Sequence, residues 1–150
     1  MPRLSRFFIK TGMIFFVCSL LLLLWTAVAD MLPEVGRGGR WMPVFWHMLM
    51  VGWITQIIMG VSYWMFPKIS RDNHYGPAWV GWSCYGLLNV GLILRVVTEP
   101  WLSTPGAVQT AAVAGSALMQ WIAGVLYIFM AWSRVRGRRR RKRKKKSKKS

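Results

Sequence analysis

The stretch Trp46–Lys68, WHMLMVGWITQIIMGVSYWMFPK, decides how this chain is read. It is long and apolar enough to cross a hydrocarbon core, which takes about 20 residues at 1.5 Å of rise each. Its basic groups are the imidazole of His47 near the start and Lys68 at the end. An imidazole inside such a run raises a question of purpose, because ionisable groups in spanning segments are costly and mark function by default.

Three further segments have the same character, so the predicted spans are Phe7–Ala29, Pro43–Phe66, Pro77–Val97 and Ala107–Trp132. The 150 residues are 54% hydrophobic with ten Trp and ten Met, and little remains outside the spans to form a soluble catalytic domain. The expected fold is all-α, an integral membrane four-helix bundle over residues 1–136. The opening MPRLSRFFIK, the core MIFFVCSLLLLLW and AVA before Asp30 have the outline of a signal peptide. The apolar stretch is nevertheless long enough to span, which favours a retained first helix.

Basic residues set the expected orientation. Arg3, Arg6 and Lys10 precede the first span, Lys68 and Arg71 follow the second, and the C-terminus is densely basic. The loop after the first span offsets Arg37 and Arg40 with Asp30 and Glu34, and the third loop has Glu99 beyond Arg95. The N-terminus, second loop and C-terminus are therefore expected in the cytoplasm, in a bacterial inner membrane. Cys18 and Cys84 fall inside spans, and no C-x-x-C-H motif for covalent heme attachment exists, so both are read as unpaired apolar residues.

Breaks between spans follow from Gly and Pro. GRGGRWMP precedes the second, Pro67 ends it, and Glu99-Pro100 ends the third. In the fourth, Ala107, Ala111 and Gly115 recur every four residues, as do Ala112 and Ser116, a spacing that suits close helix packing. Beyond Gly137 the run RRRRKRKKKSKKS carries most of the formal charge of +17, and repulsion predicts a disordered polybasic tail over 137–150. Arg138, Arg139, Arg140, Arg141, Lys142, Arg143, Lys144, Lys145 and Lys146 are its candidate contacts with anionic lipid headgroups or with an acidic face of a partner subunit. Nucleic acid is disfavoured, because aromatics are not interleaved with the charges.

His47 sits ~6 Å inside the outer end of its span. On a wheel of 100° per residue it shares a face with Val51, Ile54, Ile58 and Met65, while Gly52, Gln56, Gly60 and Tyr63 lie opposite. A flat macrocycle suits the first face and another helix the second. The imidazole serves equally as a hydrogen-bond donor to a carbonyl on a neighbouring helix or to water. His74 lies in the second loop, ~30 Å away along the helix, so the two histidines of one chain cannot share a metal. Arg95 is level with His47, positioned to receive a heme propionate, to snorkel or to pair with Glu99 four residues on. Gln56 and Asn89 are expected to bond between helices. There is no phosphate loop, hydrolase triad or H-E-x-x-H motif.

His47, Gly52, Trp53, Gly60, Tyr63, Trp64 and Pro67 resemble the second helix of the catalytic subunit of heme–copper oxygen reductases and nitric-oxide reductases, the latter most. WSCYGLLNVGLILRVVTEP, residues 82–100, is similar to the helix that follows there. The resemblance covers Trp41 to Pro100, two helices of four. It implies that His47 is the axial ligand of a low-spin heme b. The family's other ligand histidines come from later helices, and after His74 this chain has no histidine. It therefore cannot build the reducing centre alone. A partner subunit, or a second copy across a dimer, would have to complete the iron's coordination. The expected function is a non-catalytic, respiratory-type electron-transfer subunit that works with other membrane subunits. The alternatives are a heme-free structural or assembly subunit, with no cofactor, and a pigment- or quinone-handling subunit of a photosynthetic complex.

Overall fold

The computed structural model describes residues 1–32, 41–66, 77–101 and 106–147, with Ser133 and residues 136–147 described by backbone alone. Among them all regular structure is helical. Four helical segments are long and apolar enough to cross a membrane: Arg3–Met31, Trp41–Met65, Ala78–Trp101 and Ala107–Trp132. The first is a single helix, α1 (Arg3–Met31). The second joins α2 (Trp41–His47), a π-helical stretch (Met48–Thr55) and α3 (Gln56–Met65). The third is α4 (Ala78–Thr98) with a 3₁₀ turn (Glu99–Trp101), and the fourth begins α5 (Ala107–Ser147).

Local chemistry explains the ends. Pro43 stands in the first turn of α2, where a missing N–H costs nothing. Phe66, which precedes Pro67, leaves helical geometry for φ −65°, ψ 145°, the extended conformation a following proline imposes. α5 continues to Ser147. Arg and Lys are good helix formers, and a helix already nucleated in the fourth span extends at low cost. The loop charges used for orientation (Glu34, Arg37, Arg40, Lys68 and Arg71) and His74 lie outside the described residues.

The spans pair as two antiparallel hairpins. In the first, α1 lies against the second span, brought close by glycines: a Cβ on Gly60 would stand 2.9 Å from Phe8 Cβ, and one on Gly52 2.9 Å from Phe15 Cβ. Phe16 and Trp53 stack with centroids 4.0 Å apart. In the second hairpin, α4 packs on α5, with Gly91 against Ser116 and Cys84 Sγ directed at the Ala123 carbonyl. Of the two small-residue rows in the fourth span, the one through Ser116 turns inward, with Ala112 half-buried and Ser116 buried. Ala107 and Ala111 are exposed, and a Cβ on Gly115 would meet nothing within 4 Å. Cys18 is exposed and Cys84 buried, and both are free thiols.

Hydrogen bonds tie the hairpins to each other. Gln56 Nε2 donates to Asn89 Oδ1 at 3.0 Å, an interhelical bond of the kind expected for each amide, and Asn89 Nδ2 donates to the Tyr85 carbonyl. Thr11 bonds Tyr85 Oη at 2.7 Å, and Ser62 bonds Tyr127 Oη. Gln56→Leu or Asn89→Leu is expected to lower stability by about 0.6 and at most about 1.7 kcal/mol, the range for such bonds in membranes. Unfolding in mixed detergent micelles checks this, with the double variant reading the coupling.

The largest buried polar side chain is Arg134, only 2% exposed. Its guanidinium donates to the Tyr63 carbonyl at 2.9 Å and to the Phe66 carbonyl at 2.8 Å, and lies over both rings. These carbonyls belong to the C-terminal end of the second span, where helix carbonyls lack intrahelical partners and a cation is favoured.

Candidate functional site

His47 is the last residue of α2, and the π-helical stretch begins at the next residue. There the bonding pattern shifts from i→i+4 to i→i+5, each wider turn taking in an extra residue, and such segments occur often at functional sites. Thr55 Oγ1 follows the same step, donating to the Met50 carbonyl five residues back.

A wheel of 100° per residue therefore slips across Met48–Thr55. Ile54, Ile58 and Met65 are exposed, as an outward aliphatic strip should be, and Gly52, Gln56, Gly60 and Tyr63 are buried on the opposite side. His47 does not simply continue that strip. Its side chain is 28% exposed, with Nδ1 3.6 Å from Glu99 Oε2.

The imidazole geometry fixes a tautomer. Nδ1 lies 2.8 Å from the Pro43 carbonyl oxygen. A carbonyl only accepts, so Nδ1 is the protonated nitrogen, and in the neutral ring Nε2 holds the lone pair. Nothing among the described residues hydrogen-bonds Nε2. Metal-ligating histidines have this arrangement, one nitrogen held by a carbonyl or carboxylate and the other left to coordinate.

Glu99 and Arg95 form the rest of the cluster. Arg95 Nε donates to Glu99 Oε2 at 3.1 Å and Nη2 to Oε1 at 3.2 Å, a fork-on-fork pair across one helical turn. Of the roles open to Arg95 in the sequence, pairing with Glu99 is the one the structure contains. Glu99 is 6% exposed, turned inward by the 3₁₀ turn although Pro100 follows it. Its inward turn escapes sequence reading, which takes a Glu-Pro at a helix end as loop. The i,i+4 spacing from Arg95 is the signal that points to it. Arg134 was hidden among the basic residues it precedes.

A lone imidazole can serve a metal that brings most of its own ligands, an iron or magnesium macrocycle among them. Among the described residues no three His, Cys, Asp or Glu side chains gather to hold a bare ion. A heme brings four nitrogens of its own, so a single imidazole in the Nδ1-protonated tautomer meets the requirement for one axial ligand.

No protein-family model matches this sequence, and no curated protein or solved structure matches it either.

Proposed function

We propose that the chain is a non-catalytic subunit of a bacterial electron-transfer complex in the cytoplasmic membrane, and that His47 holds heme b as an axial ligand. The tautomer carries this reading: the 2.8 Å contact from Nδ1 to the Pro43 carbonyl leaves Nε2 as the ligating atom. Heme supplies one-electron transfer when bound. The chain's own part is to hold the imidazole by the Pro43 carbonyl, to place the Glu99 carboxylate beside Nδ1, and to balance that carboxylate with Arg95. The second axial position falls to another subunit or to a second copy. The basic segments at both termini belong on the cytoplasmic side by the positive-inside rule.

The test is a pyridine hemochrome assay on full-length protein from cells given ample heme. The wild type is expected to show a Soret band and the b-type hemochrome, and His47→Ala to lose both while remaining folded. Absence of a Soret band from the wild type, alone and with its native partners, overturns the heme assignment.

A heme-free structural role is the second reading, favoured by the closed Arg95–Glu99 pair, which leaves the fork of Arg95 fully used. In that case His47→Ala leaves the yield of the native complex unchanged, whereas deletion of residues 137–150 lowers it.

A further inference from the structure

At the end of the second span an apolar cavity of about 320 Å³ opens between Phe66 and one face of α5, lined by Phe66, Tyr127, Ile128, Ala131, Trp132 and Val135. Its size falls at the low end of the ~300–1,000 Å³ range for small-molecule sites. Its lining surface is almost wholly apolar: the Tyr127 hydroxyl bonds Ser62, and the neighbouring Arg134 is committed to the Tyr63 and Phe66 carbonyls. What the cavity takes is therefore hydrocarbon.

The same helix continues from Val135 into the basic run. Residues three and four positions after Val135 share its helical face about one turn, ~5.4 Å, further on. Those positions are Arg138 and Arg139, and Arg140 to Lys146 follow. Exposed Trp64 and Trp132 mark this end of the bundle as the level of an interface between hydrocarbon and headgroups.

We propose that this groove is a specific site for an anionic phospholipid, with an acyl chain in the cavity and the phosphate at the Arg138–Arg139 turn. An apolar peptide matches the groove but makes no use of the cations one turn away. Free phosphate uses the cations but leaves the groove empty. An anionic lipid of the leaflet that meets the basic segment satisfies both. The site is separate from the His47 cluster and does not depend on its cofactor.

The experiment uses the full-length chain in mild detergent, equilibrated with equal amounts of phosphatidylglycerol and phosphatidylcholine of identical acyl chains. Lipid retained after size exclusion is then quantified by mass spectrometry. The wild type is expected to retain phosphatidylglycerol about tenfold over phosphatidylcholine, equivalent to one decade of affinity. Ala131→Trp fills the groove and is expected to lower the retained phosphatidylglycerol about tenfold. Ile128→Trp, at an exposed position of the same wall, gives the same result should Ala131→Trp fail to fold. R138Q/R139Q keeps the groove but removes the preference between the lipids. Equal retention of the two lipids by the wild type overturns the proposal. So does phosphatidylglycerol retention unchanged in both tryptophan variants, which leaves only a diffuse attraction of the basic segment for charged bilayers.

Discussion

Replacing Arg134 with methionine is expected to lower the stability of the fold by about 2–4 kcal/mol, the cost of removing two charge-assisted bonds, one to a buried and one to a half-buried carbonyl. Methionine keeps much of the length and the packing of the arginine stem, so the loss reports the guanidinium. Both carbonyls lie on the second span while Arg134 lies on the fourth, so the variant loosens the join between hairpins. Arg134→Lys recovers only part of the loss, since an ammonium is a point charge and cannot bridge two acceptors as a planar fork does. Unfolding midpoints in mixed micelles separate the three proteins. A midpoint for Arg134→Met equal to that of the wild type would mean that solvent or headgroups replace the guanidinium without cost.

The second large effect lies at Gly60. A methyl group there would meet Phe8 Cβ at 2.9 Å, Ile9 Cγ1 at 3.1 Å and the Ser5 carbonyl oxygen at 3.2 Å. Two of these atoms are a Cβ and a backbone oxygen, which yield only if α1 itself moves away. Gly60→Val is expected to cost about 3 kcal/mol, the upper end of overpacking penalties. It also releases the Ser5 hydroxyl from the Gly60 carbonyl, a buried bond between the two helices. Gly115→Val is the control. Its Cβ would meet nothing within 4 Å, so its midpoint is expected to stay within about 0.5 kcal/mol of the wild type. Proteolysis or cysteine labelling along α1 shows whether Gly60→Val loosens that helix alone or the whole bundle.

The architecture was legible in the sequence because it depends on length and composition. Four long apolar runs, punctuated by Gly and Pro, became four helical spans. That Gln56 and Asn89 bond between helices was legible too, since amides in hydrocarbon need partners, but their pairing with each other comes from the fold. The π-helical stretch was not. MLMVGWIT is apolar on every side, so its periodicity carries no sign of the slip in phase. Glu99 was read as a loop residue because proline follows it, and only the fold turns its carboxylate inward beside His47. Arg134 looked like the first of many basic residues, and nothing in the sequence separates the one that caps a helix from those that follow.

The division of contacts between and within the hairpins bears on how the protein is made. Inside the first hairpin, steric fit at Gly12, Gly52 and Gly60 holds α1 to the second span, and Gly91 plays that part in the second hairpin. Across the seam an apolar cluster of Leu4, Phe8, Met59, Cys84 and Leu88 is joined by directional bonds: Thr11 to Tyr85, Gln56 to Asn89, Ser62 to Tyr127 and the Arg134 fork. Close steric fit between sequence neighbours forms early in synthesis, because the loop that must close is short. The seam has to wait for its last member, since Arg134 is made only after the whole fourth span. Biogenesis thus acquires a final checkpoint: until Arg134 arrives, the end of the second span lacks the guanidinium that joins it to the fourth, and an incomplete chain is distinguishable from a finished one.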